Sequence, residues 1–383
     1  MKVTDIQVVQ NRKPVVLPEA WQPAWMMPDV QPIKTMGFAF IQILTDEGVT
    51  GVGPGGLPEP VLDRVKAALV GQDPRYVEAF WQHYICQSGG RGIPGRESLG
   101  GVDAALWDIV GKVAGKPVYQ LLGACRDRVP VYIATTQLHS PAEHAQEAVA
   151  FREQGARAIK LRLHRPDYRD DLAVVQTVRD AVGPDMGIMV DGNQNNWSPS
   201  YRHWSRRVAM AMAKTLDALD VYYFEDPLPL RDREGLRQLA DAVEMYISGG
   251  EHAQDLFEHT SLLLSGALDI VETDITLGSR LGMTGAKKVA HIAEALGKRV
   301  IPHVATGPNK GLHLAASLQV AATVPEWVCP YVEYIREPPA LTPATQQFLL
   351  TEPILFGADG CVPVPQKPGI GIELNDAVLT TYL

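Results

Sequence analysis

A chain of 383 residues with 46% apolar side chains has material for a large core, arranged as two domains or as a barrel with an added lobe. Its net charge of −9 and isoelectric point near 5.6 argue against nucleic acid or an anionic membrane surface as its main partner, while small anionic substrates stay open because local fields override net charge. No apolar run approaches the roughly 18 residues needed to span a bilayer. The first element, Met-Lys-Val-Thr-Asp-Ile-Gln-Val-Val-Gln, alternates like a strand and lacks the apolar centre of a signal peptide.

Residues 1 to about 55 read as antiparallel strands. Val3 to Val9 and Phe38 to Leu44 alternate, and Asp46-Glu47-Gly48 is a hairpin signal leading into Val49 to Val52. Between the first two lies Pro18 to Pro32, with Trp21, Trp25, Met26 and Met27 set among prolines. Helices are expected over Pro58 to Leu69, Pro74 to Tyr84 and Ser98 to Ala114, the last with Val102, Leu106, Ile109, Val110 and Val113 as its apolar stripe.

From about Val129 the texture becomes strand–helix alternation. Strands are expected at Val131–Ala134, Ala158–Leu163, Gly187–Val190, Val221–Phe224, Tyr246–Ser248, Ile270–Glu272, Arg299–Ile301 and Tyr331–Tyr334. Such a series fits a parallel α/β barrel better than an open sheet. The expected division is a capping domain over 1–125, a barrel over 126–350, and a Gly- and Pro-rich segment over 351–383 that returns to the capping domain. The dispersed cysteines Cys86, Cys125, Cys329 and Cys361 read as buried thiols of a cytoplasmic enzyme rather than as disulfides or a zinc site.

Asp191, Glu225 and Glu251 each follow a short apolar run. Consecutive parallel strands bring the three acids to the carboxyl edge of the sheet, where α/β proteins place ligands. Three carboxylates share a site as anions only when a cation neutralises them, and a hard oxygen set suits Mg2+. Asn193, two residues past Asp191, is placed to orient a ligand. The bland alternative is solvated surface acid, since the chain has 44 Asp and Glu residues.

Lys160 and Arg162 alternate in Ala-Ile-Lys-Leu-Arg-Leu and so share one strand face. Two cations facing a barrel interior beside acids either form a structural salt bridge or hold an anionic substrate and its developing charge. Asp274 and His303 follow neighbouring strands, where a carboxylate fixes the imidazole tautomer and raises its basicity. Glu333 follows the last strand and completes the ring, with Glu326 and Glu337 as nearby alternatives.

The order Lys-x-Arg, Val-Asp-Gly-Asn, Phe-Glu-Asp-Pro, Gly-Gly-Glu, Glu-Thr-Asp, Pro-His and Val-Glu-Tyr resembles the enolase superfamily, in particular its mandelate racemase subgroup. The stretch from Ser98 to Lys112 resembles that family's helix signature. The resemblance implies a modified (β/α)7β TIM barrel with an α+β capping domain, one Mg2+ and a symmetric homo-oligomer. It implies removal of the proton alpha to a carboxylate to give a metal-stabilised enolate. Asp191, Glu225 and Glu251 then bind the metal, Asp274 and His303 form the base dyad, and Glu333 contacts the substrate carboxylate. Trp21 and Trp25, with Gly53-Pro-Gly-Gly, belong to the mobile lid; hydrophobic packing of the lobe is the alternative.

The subgroup's usual second-strand pattern is Lys-x-Lys, its second lysine a base on the face opposite the histidine. Here that position is Arg162, a poor proton acceptor. One-base chemistry follows: a Mg2+-dependent dehydratase in which His303 takes the alpha proton of a sugar acid and protonates the departing beta hydroxyl, giving a 2-keto-3-deoxy acid. An epimerase, racemase or cycloisomerase is the second reading, and a binding or regulatory protein the third.

Overall fold

A computed structural model describes residues 1–26, 30–86, 99–195, 203–276 and 281–383. Met27 of the Trp-rich segment, the Ser98 helix start and the side chain of Cys86 lie outside them. The amino-terminal lobe carries an antiparallel sheet of β1 (Val3–Gln10), β4 (Ala39–Thr45) and β5 (Thr50–Pro54). Gly48, at φ 78°, closes the β4–β5 hairpin, in a left-handed conformation that glycine adopts freely. β2 (Val15–Trp21) and β3 (Ile33–Met36) form a separate antiparallel ribbon whose strands bracket the Trp-rich stretch, β2 taking in its first residues, Pro18 to Trp21.

Helix Gly100–Ala114 packs on this sheet at backbone distance. A Cβ on Gly53 would sit 1.9 Å from the Gly101 carbonyl oxygen, so Gly53 is a packing residue of β5 and not lid. The expected stripe holds for Val102, Leu106 and Ile109, but Val113 is 43% exposed. The expected Pro74–Tyr84 helix is an α-turn over Val77–Phe80 that widens into a π-helix over Trp81–Cys86. Trp81 is buried there and donates from Nε1 to the Leu281 carbonyl (2.7 Å).

The second unit is a parallel barrel of β6 (Arg128–Ala134), β7 (Ala158–Arg162), β8 (Gly187–Asp191), β9 (Tyr223–Glu225), β10 (Tyr246–Gly249), β11 (Ile270–Thr273), β12 (Arg299–Pro302) and β13 (Val332–Ile335). The ladder runs β12-β11-β10-β9-β8-β7-β6-β13. At the mouth β12 meets β13, where the Val304 N–H donates to Glu333 Oε2 (3.0 Å). Helices 141–153, 168–182, 206–218, 233–240, 256–264, 282–295 and 310–321 separate successive strands, while β13 is followed only by the short Pro343–Gln346. That is the (β/α)7β order. The strands are short apolar runs whose outward residues, such as Ile159, Leu161, Ile188 and Val190, enter the core shared with the helices.

β14 (Cys361–Pro363) pairs antiparallel with β6 at its amino end. Further on, Tyr382 stacks on Phe38 (6.1 Å between centroids) and its carbonyl accepts from the Arg12 N–H (2.8 Å). Cys329 and Cys361 are buried free thiols, but Cys125 is exposed: it lies in the link before β6, outside both cores. No helix among the described residues is long and apolar enough to cross a membrane.

Candidate active site

Parallel register builds the site. Arg162 pairs with Asp191, Asp191 with Glu225, and Glu225 with Ser248, along β7 to β10. Residues level with one another in a barrel share a layer, so β7, β8 and β9 each deliver one charge to the same depth. Glu251 and His252 follow β10; Asp274 follows β11; His303 follows β12. Lys160, Arg162, Asp191, Glu225, Glu251, Asp274, His303 and Glu333 are all buried.

On the β7 wall, Lys160 Nζ contacts Glu225 Oε2 at 2.6 Å and Glu333 Oε1 at 3.1 Å. Arg162 donates to Asp191 Oδ2 through Nη1 and to the Thr135 carbonyl through Nε (2.9 Å). Trp25 covers the guanidinium, 4.9 Å from its ring centroid. Burial opposes both charges, but Glu225 and Glu333 hold Lys160, and Asp191 and Glu333 hold Arg162, well above their ordinary values. Neither is a proton acceptor in this setting.

On the β12 wall, His303 Nδ1 lies 2.6 Å from Asp274 Oδ2 and Nε2 lies 3.0 Å from Glu251 Oε2. Asp274 Oδ1 also accepts from the Thr276 N–H (2.5 Å). Burial works against imidazolium, yet Glu251, Glu333 and Asp274 outweigh it and push the ring well up. Burial likewise opposes Glu251 ionisation, but His303 and His252 pull that carboxyl well down. Burial raises Glu333, yet Lys160, His303 and Arg162 bring it to about 2.

Glu225, Glu251 and Glu272 present carboxylate oxygens that all lie within 4.8 Å of one another. Glu225 Oε1 and Glu272 Oε2 are buried without a hydrogen-bond partner among the described residues, as are both oxygens of Asp226. Burial, then Asp191, raises Glu225 to about 7. Burial and Glu225 push Glu272 well up. So dense a set of under-satisfied acids fits a bound cation, by the chemistry of hard oxygen donors. Glu272 also accepts from Ser248 Oγ (2.9 Å). Asp191 stands outside that trio, held by Arg162 and by the Asn193 N–H (2.6 Å).

Above these acids a cavity of about 310 Å³ is lined by Trp25, Met26, Arg162, Asn193, Glu251, His252, His303, Ala305, Thr306 and Ile335. Asn193, at φ 42°, bonds His164 Nε2 through Oδ1 (2.7 Å). Trp21 is set back from the lining. It is buried against Trp25 and donates to Thr136 Oγ1 (2.8 Å). Sequence reasoning missed Glu272, His252 and Lys310. Glu272 was legible from strand parity, since it lies two residues before Asp274, and His252 adjoins Glu251. Lys310, buried with no hydrogen-bond partner among the described residues and pushed well down by that burial, carries no local signal.

Residues 12–123 match the family described as mandelate racemase / muconate lactonizing enzyme, N-terminal domain. Residues 142–378 match the family described as enolase C-terminal domain-like. D-galactarolactone cycloisomerase of Agrobacterium fabrum is 29% identical over 357 residues, covering 89% of this chain and 90% of that one. Arabinonate dehydratase of Saccharolobus solfataricus is 28% identical over 356 residues, covering 89% of each. The crystal structure of L-talarate dehydratase from Polaromonas sp. JS666, complexed with Mg and L-glucarate, superimposes with a TM-score of 0.81 at 26% identity, over 100% of this chain and 97% of that one. With barrel, lobe and strand-end acids in place, the chain belongs to the mandelate racemase subgroup of the enolase superfamily.

Proposed function

We propose that this protein is a Mg2+-dependent dehydratase of a sugar acid, an aldonate or aldarate. The observation that carries the reading is the inequality of the two walls: His303, backed by Asp274, is the proton carrier lining the cavity opposite two cations that are both locked in ion pairs. Asp191, Glu225 and Glu251 are the proposed metal ligands. A cation held there would supply positive charge that acidifies the proton alpha to a carboxylate.

His303 Nε2 takes the alpha proton, while Asp274 on Nδ1 fixes the tautomer and stabilises the imidazolium. The released electron pair moves toward the carboxylate, whose growing charge Lys160 and Arg162 face. As that pair returns, the bond from the beta carbon to its hydroxyl breaks, and His303 gives its proton to the departing oxygen to form water. The enol product then becomes the 2-keto-3-deoxy acid. Arg162 stays charged throughout, so proton return to the opposite face has no carrier there.

Two features keep cycloisomerisation as the second reading. It shares the first proton transfer, and D-galactarolactone cycloisomerase resembles this chain as closely as the dehydratases do. Incubation with Mg2+ and a panel of aldonic acids, aldaric acids and their lactones, read by 2-keto acid formation and by alpha-proton exchange in heavy water, separates the two. Dehydration predicts 2-keto acid from at least one sugar acid. Exchange without keto acid would sink it and favour the isomerase.

A further inference from the structure

We propose a second cation site on the barrel rim, formed by His139, Glu147 and Glu337 and suited to a zinc-like ion. It lies apart from the strand-end acids. His139 is on the loop after β6, Glu147 on helix Pro141–Glu153, and Glu337 just past β13, so the seam where the barrel's first and last strands pair brings the three together. One donor atom from each lies within 4.8 Å of the other two. His139 Nε2 is 2.8 Å from Glu337 Oε1 and 3.7 Å from Glu147 Oε1. Ligand atoms of a four-coordinate ion sit about 3 to 4 Å apart when each is about 2 Å from the metal.

The surroundings orient these donors as supporting groups orient metal ligands. Glu337 Oε2 is saturated by the Thr136 N–H (2.6 Å), the Thr136 hydroxyl (2.8 Å) and the Gln137 N–H (3.0 Å), which turns Oε1 toward the rim. His144, completely buried, accepts from the His139 N–H at Nε2 (3.2 Å). Its other nitrogen, Nδ1, therefore carries the proton and faces Glu147 Oε2 at 3.5 Å, and neither atom makes a hydrogen bond among the described residues. A simple imidazolium–carboxylate pair explains the 2.8 Å contact. It leaves Glu147 and the His144 nitrogen opposite it without a purpose.

His139 and Glu147 side chains are 25% and 26% exposed, against 1% for Glu337. That gradient gives an ion a way in and a buried anionic seat. A mixed imidazole and carboxylate set selects a borderline ion such as Zn2+, whereas the all-oxygen strand-end group selects Mg2+, so the two sites sort ions by ligand chemistry. The site also backs the roof of the cavity. Thr136 and Gln137, both fixed by Glu337, hold Trp21 Nε1, the Gln22 N–H and the Ala24 N–H (2.8, 2.7 and 2.8 Å). A bound ion braces the segment that carries Trp25.

The probe is Co2+, whose visible absorption is intense in four-coordinate sites and weak in octahedral oxygen sites. Untagged protein is stripped with chelator, saturated with Mg2+ to fill the strand-end group, and titrated with Co2+. Wild type is expected to develop intense bands saturating at one ion per chain. His139→Gln and Glu147→Gln, both partly exposed positions, are expected to weaken that binding by on the order of a hundredfold while keeping the wild-type circular dichroism and melting curve. Loading with Zn2+ is expected to slow amide exchange at Gln22 and Ala24 in wild type but not in Glu147→Gln. Absence of intense bands in wild type, or their survival in both variants, overturns the site. Unchanged exchange in the loaded wild type overturns the bracing.

Discussion

Two groups of buried acids in this molecule are satisfied very differently. Where the lobe joins the barrel, Asp103 accepts from both the N–H and the hydroxyl of Thr284 (2.9 and 2.7 Å). Asp108 nearby accepts from the Val52 N–H, the Ile370 N–H and Lys112 (2.9, 2.8 and 2.6 Å). Both oxygens of each acid are occupied, and each acid ties segments far apart in sequence. At the barrel mouth, Glu225 and Glu272 each retain an oxygen with no hydrogen-bond partner among the described residues, and Asp226 retains two. Saturated acids hold the fold together, whereas unsaturated ones hold positions open for something that arrives later. Burial alone does not distinguish them; hydrogen bonding does.

Four substitutions and one addition test that contrast. His303→Asn is expected to cut turnover by about 10²- to 10⁴-fold with the melting temperature little changed, assayed by keto-acid release and by calorimetry. Full activity would remove His303 from the mechanism. Asp108→Ala should do the reverse. It strands two buried N–H groups, so urea unfolding should report a loss of about 3 to 5 kcal/mol, while the protein that remains folded keeps wild-type kcat. If both variants lowered stability alike, the division between mouth and joint would collapse.

Mg2+ at about a hundred times its Kd is expected to stabilise the wild type by about 2.7 kcal/mol. Glu225→Gln should lose most of that gain, and an unchanged gain would place the ion elsewhere. A last test concerns Asp103, which burial, against the pull of Thr284, raises from an ordinary 3.8 to about 7. A folded pKa above the unfolded one means stability is fully present below about pH 4 and is lost as pH rises through about 7. Asp103→Asn should therefore flatten the fall in unfolding free energy between about pH 4 and pH 7. A slope identical to wild type would show that another group carries it.

The barrel was legible because each strand is a short, mostly apolar run, and β7 to β12 each carry a titratable side chain at or just past the end. The expected Val221–Phe224 and observed Tyr223–Glu225 differ by two residues at the start and one at the end, and the functional acid lies at the end in either case. Most of the expected mouth residues followed from strand ends, but Glu333 lies inside β13 and not past its end as expected. What stayed hidden depends on distance across the fold. Nothing near Pro18 indicates that Trp21 lies opposite Ile33 in a ribbon, because that pairing is set by the barrel rim beneath it. Asp191 looks like Glu225 in sequence, yet Arg162 claims it on the next strand over. Cys125 was expected inside, but an apolar thiol in a linker has no core to enter.

The returning segment bears on how the protein is made. Phe38 belongs to the lobe that leaves the ribosome first, yet its ring is sealed by Tyr382, and Asp108 is completed by Ile370. Both partners are translated after the whole barrel. The lobe therefore spends most of synthesis with apolar surface uncovered and a buried acid half-bonded, a state prone to association. Its final closure waits until the barrel has been made, and a chaperone that shields the lobe until then would act on yield and not on the finished enzyme.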